Sequence, residues 1–199
     1  MFLEPQNNIT REHTSGHIEV VCGCMFSGKT EELIRRLRRA SIAKQKVEIF
    51  KPAIDTRYDD EDVVSHNKTS IRSTAVQFAS DILLLSGESD VVGIDEAQFF
   101  DNEIINVCRT LANNGKRVIV AGLDMDAQGE PFGPMPQLLA ISEFVTKLHA
   151  ICTISGSLAS FSYKLTDSDK TVELGEADIY EARNRKYFYE GQAQKKQRK

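Results

Sequence analysis

The run Gly23-Cys24-Met25-Phe26-Ser27-Gly28-Lys29-Thr30 fits the pattern GxxxxGK[ST] at every fixed position. Each of those positions has a physical task. Glycines let the backbone wrap closely around a polyphosphate with its amide N–H groups turned inward. A helix beginning at the end of the run adds the partial positive charge of its N-terminus. Lys29 is placed to hold β- and γ-phosphate oxygens, and the Thr30 hydroxyl to ligate Mg²⁺. Further along, Val91-Val92-Gly93-Ile94 is an apolar run that ends in Asp95-Glu96-Ala97-Gln98-Phe99-Phe100. An apolar strand ending in a carboxylate is how a phosphate-loop protein places its second Mg²⁺-associated group. Neighbours on an extended chain point to opposite faces, so two roles are open: Asp95 toward a metal and Glu96 toward a nucleophile. The plain alternative is that the pair only ends a buried strand. The Asp55-Thr56-Arg57-Tyr58 segment, with Ser65-His66-Asn67 beyond it, reads by itself as a solvated loop.

These residues need a scaffold, and the pattern around them alternates. His17–Cys22 is a strand-length apolar run leading into the glycines, and Gly28–Lys44 then has helical spacing. Leu33, Ile34 and Leu37 share one face of that helix, while Glu31, Glu32, Arg35, Arg36, Arg38 and Arg39 mostly occupy the other. Val47–Phe50, Val91–Ile94 and Val118–Val120 are further strands. Asp101 is a candidate N-cap, Ile104, Ile105, Cys108 and Leu111 form a helical stripe facing either the sheet or a neighbour, and Gly115 fits a C′ position. Leu138–Leu148 reads as a helix after Pro134 and Pro136. Strands alternating with helices make an α/β protein with a parallel sheet covered on both faces. From about Lys147 the pattern changes to short strands, at His149–Ile154, Ser160–Leu165, Thr171–Leu174 and Tyr187–Tyr189, which makes a small β-rich annex. The organisation expected is a flexible N-terminus over 1–16, an α/β nucleotide-binding domain over 17–146, a small domain over 147–191 and a basic flexible tail over 192–199.

Composition narrows the class. The 199 residues are 41% hydrophobic and 27% charged, with a net charge of −4. That suits a soluble globule, and a chain of this length buries roughly 70% of its unfolded surface without needing disulfide staples. Cys22, Cys24, Cys108 and Cys152 are irregularly spaced, which fits neither a disulfide framework nor a paired CxxC metal site and points to a reduced, cytoplasmic compartment. No apolar run approaches the ~20 residues of a membrane span. Residues 1–16 are polar and show no signal-peptide core. Without Lys195, Lys196, Arg198 and Lys199 the chain keeps 21 basic residues against 29 acidic. A body this acidic repels phosphate backbones, so neither nucleic acid nor membrane is expected as a partner.

Four segments carry a resemblance: Met25–Arg36 (MFSGKTEELIRR), Lys51–Tyr58 (KPAIDTRY), Gly93–Phe100 (GIDEAQFF), and Gly122–Gly133 with its GLD and PFG ends. In order and spacing, from His17 to Glu190, the chain resembles the type II thymidine kinases. The resemblance implies a RecA-like α/β domain and a small domain whose lasso loop closes over the nucleoside. The activity implied is transfer of the γ-phosphoryl of ATP to the 5′-hydroxyl of thymidine or deoxyuridine, with Mg²⁺. It also implies feedback inhibition by dTTP and a homotetramer or dimer in the cytoplasm. Carried over residue by residue, Glu96 is the general base, and Lys29, Arg57 and Mg²⁺ on Thr30 and Asp95 neutralise charge. ATP binding falls to Gly23–Thr30, Asp95, Glu96, Ala97 and Gln98. Met25, Asp55, Phe99, Leu123, Phe132 and Tyr180 match positions around the nucleoside, and main-chain groups near Ser162 and Thr171–Gly175 match those that hold the base.

Two departures stand out. Most members of that family fasten the small domain with a zinc held by two Cys-x-x-Cys pairs. Here the first pair reads Cys152-Thr153-Ile154-Ser155, and Asn184 and Tyr187 stand where the second pair of cysteines would be. Structural zinc needs four ligands in a tetrahedron, so no zinc is expected, and Phe161, Tyr163, Tyr180, Tyr187, Phe188 and Tyr189 are candidates to replace it with aromatic packing. The second departure is Ala127, where many relatives carry an aromatic near the base. Two other classes share the same motifs. One is a P-loop ATPase; the other is a nucleotide-binding regulator that no longer phosphorylates nucleosides.

Overall fold

A computed structural model describes residues 15–54, 62–64, 70–166 and 179–198, with backbone alone at 62–64, 70–72 and 198. Apolar runs rich in β-branched residues form the central strands β1, β6 and β7, and segments with one apolar face form helices α1 and α3. In chain order these are β1 (His17–Gly23), α1 (Lys29–Ile42), β2 (Val47–Pro52), β3 (Asp62–Val64), β4 (Ser70–Arg72), β5 (Thr74–Val76), α2 (Asp81–Leu85) and β6 (Val91–Ile94). After a 3₁₀ turn at Ala97–Phe99 come α3 (Glu103–Asn113), β7 (Arg117–Gly122), α4 (Met135–Ile141), β8 (Phe144–Leu148), β9 (Ala150–Ile151), β10 (Leu158–Ala159), β11 (Phe161–Lys164), β12 (Tyr180–Arg183) and α5 (Arg185–Arg198). The main sheet has six strands in the order β5-β2-β6-β7-β1-β8, and each pairing in it is parallel.

Alternation along the strands divides the core in two. Leu33, Ile34, Leu37 and Ala40 of α1 cover one face, against Val21, Ile49, Val91, Ile119 and Ala121. Gly93 lets that helix lie close, since a Cβ there would stand 2.7 Å from Leu37 Cδ1. Ile104, Val107, Cys108 and Leu111 of α3, with Met135 and Leu138 of α4, cover the other face. The α3 stripe therefore faces the sheet.

Several expectations are corrected. The helix expected over Leu138–Leu148 ends at Ile141, and Phe144–Leu148 is the sixth strand of the sheet. Ser142 turns to extended backbone at ψ 142°, and the Glu143 amide then donates to the Ile18 carbonyl at 3.0 Å. That opens a ladder which the β-branched Val145 and Thr146 continue. The annex therefore begins after Leu148. Tyr187–Tyr189, expected as a strand, lies inside α5, which runs on past Gln192, where a loose tail was expected. Arg36, assigned by periodicity to the polar face of α1, is wholly buried.

Arg36 is buried because β1 carries a buried carboxylate, Glu19. Arg36 donates to Glu19 Oε2 at 2.6 Å from Nη1, to Glu32 at 2.8 Å and to Thr146 at 2.9 Å. Arg117 of β7 donates to Glu19 Oε1 at 2.5 Å, and His17 Nε2 lies 3.1 Å from the same oxygen. Burial alone would push the Glu19 carboxyl up. The hydrogen bonds from His17 and Arg117, with the charges of Arg117 and Arg36, outweigh it and bring the carboxyl from 4.5 to about 2. A carboxyl held lower in the folded state than in the unfolded one stabilises the fold above the unfolded value. That stabilisation is lost as the pH falls from about 4.5 toward 2. Glu19→Gln removes the anion that two buried guanidinium groups share, although Arg36 keeps Glu32. We expect it to lower the unfolding free energy by about 3 kcal/mol at pH 7 and to flatten the acid limb of a denaturation series between pH 5 and 2. A variant as stable as the wild type at pH 7 would contradict this.

Candidate active site

The phosphate loop is built by two glycines and the start of α1. Gly23 closes β1 at φ 144°, where a Cβ would stand 2.4 Å from the Leu148 carbonyl oxygen. Gly28, at φ 85°, caps α1, and no side chain caps the first-turn amides of that helix. Those amides are therefore available to an anion. Lys29 is buried and donates from Nζ to the Cys24 carbonyl at 2.9 Å, folding back over the loop that it serves. Thr30 Oγ1 lies 3.3 Å from Asp95 Oδ2. The hydroxyl and carboxylate that the sequence separates are thus side by side, as a Mg²⁺-binding pair requires. Among the described residues Ser27 Oγ is buried with no hydrogen-bond partner, and a ligand or water in the loop would supply one.

Asp95 leaves β6 at the same end of the sheet, and its Oδ1 accepts the Glu96 amide at 2.9 Å. Glu96 adopts the left-handed conformation, φ 50°, which a non-glycine residue holds only where its surroundings impose it. The 3₁₀ turn that follows lies with Gln98 buried and Phe99 half-buried. Gln98 Nε2 donates to Glu96 Oε2 at 2.5 Å, and Gln98 Oε1 accepts the Leu123 amide at 2.9 Å. Gly122 and Gly133 make room for this bridge. A Cβ on Gly122 would come 2.9 Å from Gln98 Oε1, and one on Gly133 2.4 Å from the Gln98 carbonyl oxygen. Phe99 and Phe132 meet edge to face at 5.7 Å. Glu96, Phe99, Leu123 and Phe132 thereby come together beside the phosphate loop.

The annex touches the same loop. Ser162 Oγ accepts the Met25 amide at 3.0 Å, and the Cys24 thiol lies 3.4 Å from the Ala159 carbonyl. Ser162, expected through its main chain, thus also uses its side chain on the phosphate loop. Tyr180 is buried on β12 opposite Lys164. Asp55, Arg57 and Thr171–Gly175 lie outside the described residues, as does the N-terminal segment 1–14. Sequence reasoning missed the bridging role of Gln98. It also assigned nothing to Asp124, which is buried, pairs with Lys147 at 2.6 Å and leaves Oδ1 without a partner. Its position just past the C-terminal end of β7, where ligands bind in parallel sheets, was the available signal.

With this geometry in view, comparison with known proteins is specific. A family model described as thymidine kinase matches residues 16–188. A thymidine kinase of Bacteroides thetaiotaomicron is 62% identical over 181 residues, which is 91% of each chain. One from Rhodothermus is 61% identical over 173 residues, 87% of this chain and 81% of its own. One from Porphyromonas gingivalis W83 is 58% identical over 180 residues, 90% of this chain and 88% of its own.

The region of the annex where zinc would be expected is already cross-linked by hydrogen bonds. Asn184 Nδ2 donates to Ser155 Oγ at 3.1 Å and to Ser157 Oγ at 2.9 Å, while its Oδ1 accepts the Tyr187 amide at 3.0 Å. Burial pushes the Cys152 thiol up, but hydrogen bonds from the Ser155 side chain and from the backbone of Asn184, Ser155 and Ile154 bring it down to about 7. One thiol beside an amide and hydroxyls that bond one another does not fit tetrahedral zinc. Among the described residues no group of three or more His, Cys, Asp or Glu gathers to hold a metal. Beside this cross-link Phe161 stacks on Phe188 at 4.6 Å, and Tyr163 and Tyr189 pack edge-on to Phe188. Asn184→Ala removes three of the hydrogen bonds, and we expect it to destabilise the protein by about 1–2 kcal/mol in thermal denaturation. A chelator should leave the wild-type transition where it is; a drop on chelation would show that a metal contributes to the fold.

Proposed function

The chain belongs to the thymidine kinase family, and from that premise we propose how its own residues move the γ-phosphoryl of ATP to the 5′-hydroxyl of thymidine. The observation that carries the reading is the placement of Glu96. Its carboxylate accepts from Gln98 at 2.5 Å, next in the chain to the Asp95 that meets Thr30 and three residues before the Phe99 that meets Phe132.

Phosphoryl transfer asks a protein mainly to position groups in line and to offset charge. The Gly23–Thr30 loop cradles the triphosphate through its amides and the start of α1. Lys29 exchanges the Cys24 carbonyl for phosphate oxygens, a short move for a lysine that already lies over the loop. Thr30 and Asp95 would hold Mg²⁺, which when bound would supply positive charge to the phosphate oxygens. Glu96 accepts the proton of the 5′-hydroxyl as that oxygen bonds to the γ-phosphorus, while the bond from that phosphorus to the β,γ-bridging oxygen breaks and ADP leaves. Gln98 fixes the direction of Glu96, and through the Leu123 amide it fixes the distance from Glu96 to the chain that lines the nucleoside pocket. Phe99 and Phe132, with Met25, Leu123 and Tyr180, form the walls for the base and sugar. Arg57 adds charge toward the transferring group, and Asp55 belongs to the nucleoside side. Their assignment, like deoxyuridine as a second acceptor, dTTP as inhibitor and a cytoplasmic homotetramer, rests on the family resemblance. Among the described residues no helix is long and apolar enough to cross a membrane.

Glu96→Gln keeps the shape and the contact with Gln98 while removing the base. General-base removal typically costs about 10²–10⁴ in rate, so kcat for dTMP formation should fall by that order with KM for thymidine little changed. Chromatography of labelled thymidine incubated with ATP and Mg²⁺ reads the product. An undiminished kcat would remove Glu96 from its role. Free phosphate without dTMP from the wild type would make the protein an ATPase, and neither product a regulator.

A further inference from the structure

The C-terminal helix α5 is seated more closely than a solvated basic tail requires. Gly191 lies in its interior, where glycine costs about 1 kcal/mol relative to alanine. The structure gives the reason, since a Cβ there would stand 2.2 Å from Arg183 Nη1 and 2.7 Å from Tyr163 Cε2. The helix thus rests directly on the β11–β12 pair, with the Arg183 guanidinium 3.4 Å from the Tyr163 ring centroid and Lys195 Nζ 5.1 Å from the same ring. Residues 191 and 195 share a helical face, and 192 borders it. From that side Gln192 Nε2 donates to the Ala127 carbonyl at 3.0 Å. Lys195 Nζ donates to the carbonyls of Lys164 at 2.6 Å and Thr166 at 2.7 Å. Lys195 is half-buried, while Gln194 and Lys196 beside it are exposed.

The positions of these acceptors matter. Ala127 lies in the turn between Leu123 and Phe132, both of which line the nucleoside pocket. Lys164 ends β11 and Leu165–Thr166 follow it, with the Leu165 N–H donating to the Ile179 carbonyl at 2.7 Å next to Tyr180. Two side chains of one rigid helix therefore grip two backbone segments that reach the same pocket from different parts of the fold. Each bond is made to a carbonyl, so it fixes the course of the backbone whatever side chain stands there. At Ala127, where the side chain is only a methyl group, that grip adds to the packing of Met125 and Gly129 against Phe161 and Phe188 in holding the turn against the annex.

We propose that α5 is a positioning element of the nucleoside pocket, with Lys195 and Gln192 setting the spacing between the Ala127 turn and the end of β11. The proposal rests on the thymidine kinase reading, and neither residue touches substrate. In the full chain, Lys195→Met keeps the length of the side chain and removes its donors. Calorimetric thymidine binding should weaken about tenfold, the effect of roughly 1.4 kcal/mol of lost positioning. ATP binding should stay within about twofold and the melting temperature within about 3 °C, since only local bonds are lost. Amide hydrogen exchange at Leu165 should accelerate. Lys195→Arg, which keeps donors at the same reach, should restore thymidine binding and slow exchange. Unchanged thymidine affinity overturns the proposal, as does a joint loss of thymidine affinity, ATP affinity and melting temperature. If the wild type fails to bind thymidine, the kinase reading falls separately. Exchange at Leu165 then decides whether Lys195 holds that segment, and unchanged exchange overturns the positioning role as well.

Discussion

A carboxylate buried at the middle of the phosphate-loop strand is the constraint on which the rest is arranged. Glu19 cannot stay ionised inside a parallel sheet unless cations come to it. Arg36 comes from α1 and Arg117 from β7, and Arg36 reaches on to Thr146 of β8. One charge cluster therefore fixes α1 against β1 and pins the strands on both sides of β1. The phosphate loop is the short link between that strand and that helix, so its geometry is fixed from both ends before any ligand arrives. An apolar pair in place of Glu19 and Arg36 would pack as well, but it would not specify the angle and register at which the helix meets the strand.

Precision at the loop continues outward through backbone contacts. Leu148 lies against Gly23, Ser162 binds the Met25 amide, and the Cys24 thiol meets the Ala159 carbonyl. The annex is thereby joined to the phosphate loop itself and not only to the edge of the sheet. On the other side, a left-handed Glu96 and the Gln98 bridge hold the carboxylate against the Leu123 segment. Gly122 and Gly133 lie so close that a Cβ would meet Met135 and the Gln98 side chain at the first and the Gln98 backbone at the second. Glu96 holds its left-handed backbone, and among the described residues Ser27 Oγ and Asp124 Oδ1 are buried without a hydrogen-bond partner, as expected where a fold trades local comfort for a waiting ligand.

Much of this was legible in the sequence, for identifiable reasons. The phosphate loop, the strand ending at Asp95 and the apolar periods of α1 and α3 are local signals, and the α/β architecture follows from their alternation. The segment Phe144–Leu148 was misread because its apolar spacing suits a helix as well as a strand, and pairing with β1 decides between them. Arg36 was misread because helical periodicity puts charge outside, and only the buried Glu19 overrides it. Among the site residues, Lys29, Thr30, Asp95 and Glu96 could be found by motif. Resemblance places Gln98 among the ATP-binding residues, but its bridge to Leu123 and the pairing of Asp124 with Lys147 join residues distant in sequence, and no local signal gives them. The helix beyond Gln192 was hidden by its composition, since a run of lysine and glutamine shows no apolar face and holds its place through Gly191, Gln192 and Lys195.

The most direct test of the account is a crystal structure of the full chain with thymidine and a non-hydrolysable ATP analogue. The account predicts the nucleoside 5′-oxygen at hydrogen-bond distance from the Glu96 carboxylate, about 2.6–3.2 Å. It also predicts the base against Phe99 and Phe132, with the triphosphate on the Gly23–Thr30 amides. A nucleoside seated elsewhere, or a 5′-oxygen facing Asp95 with Glu96 turned away, would contradict it.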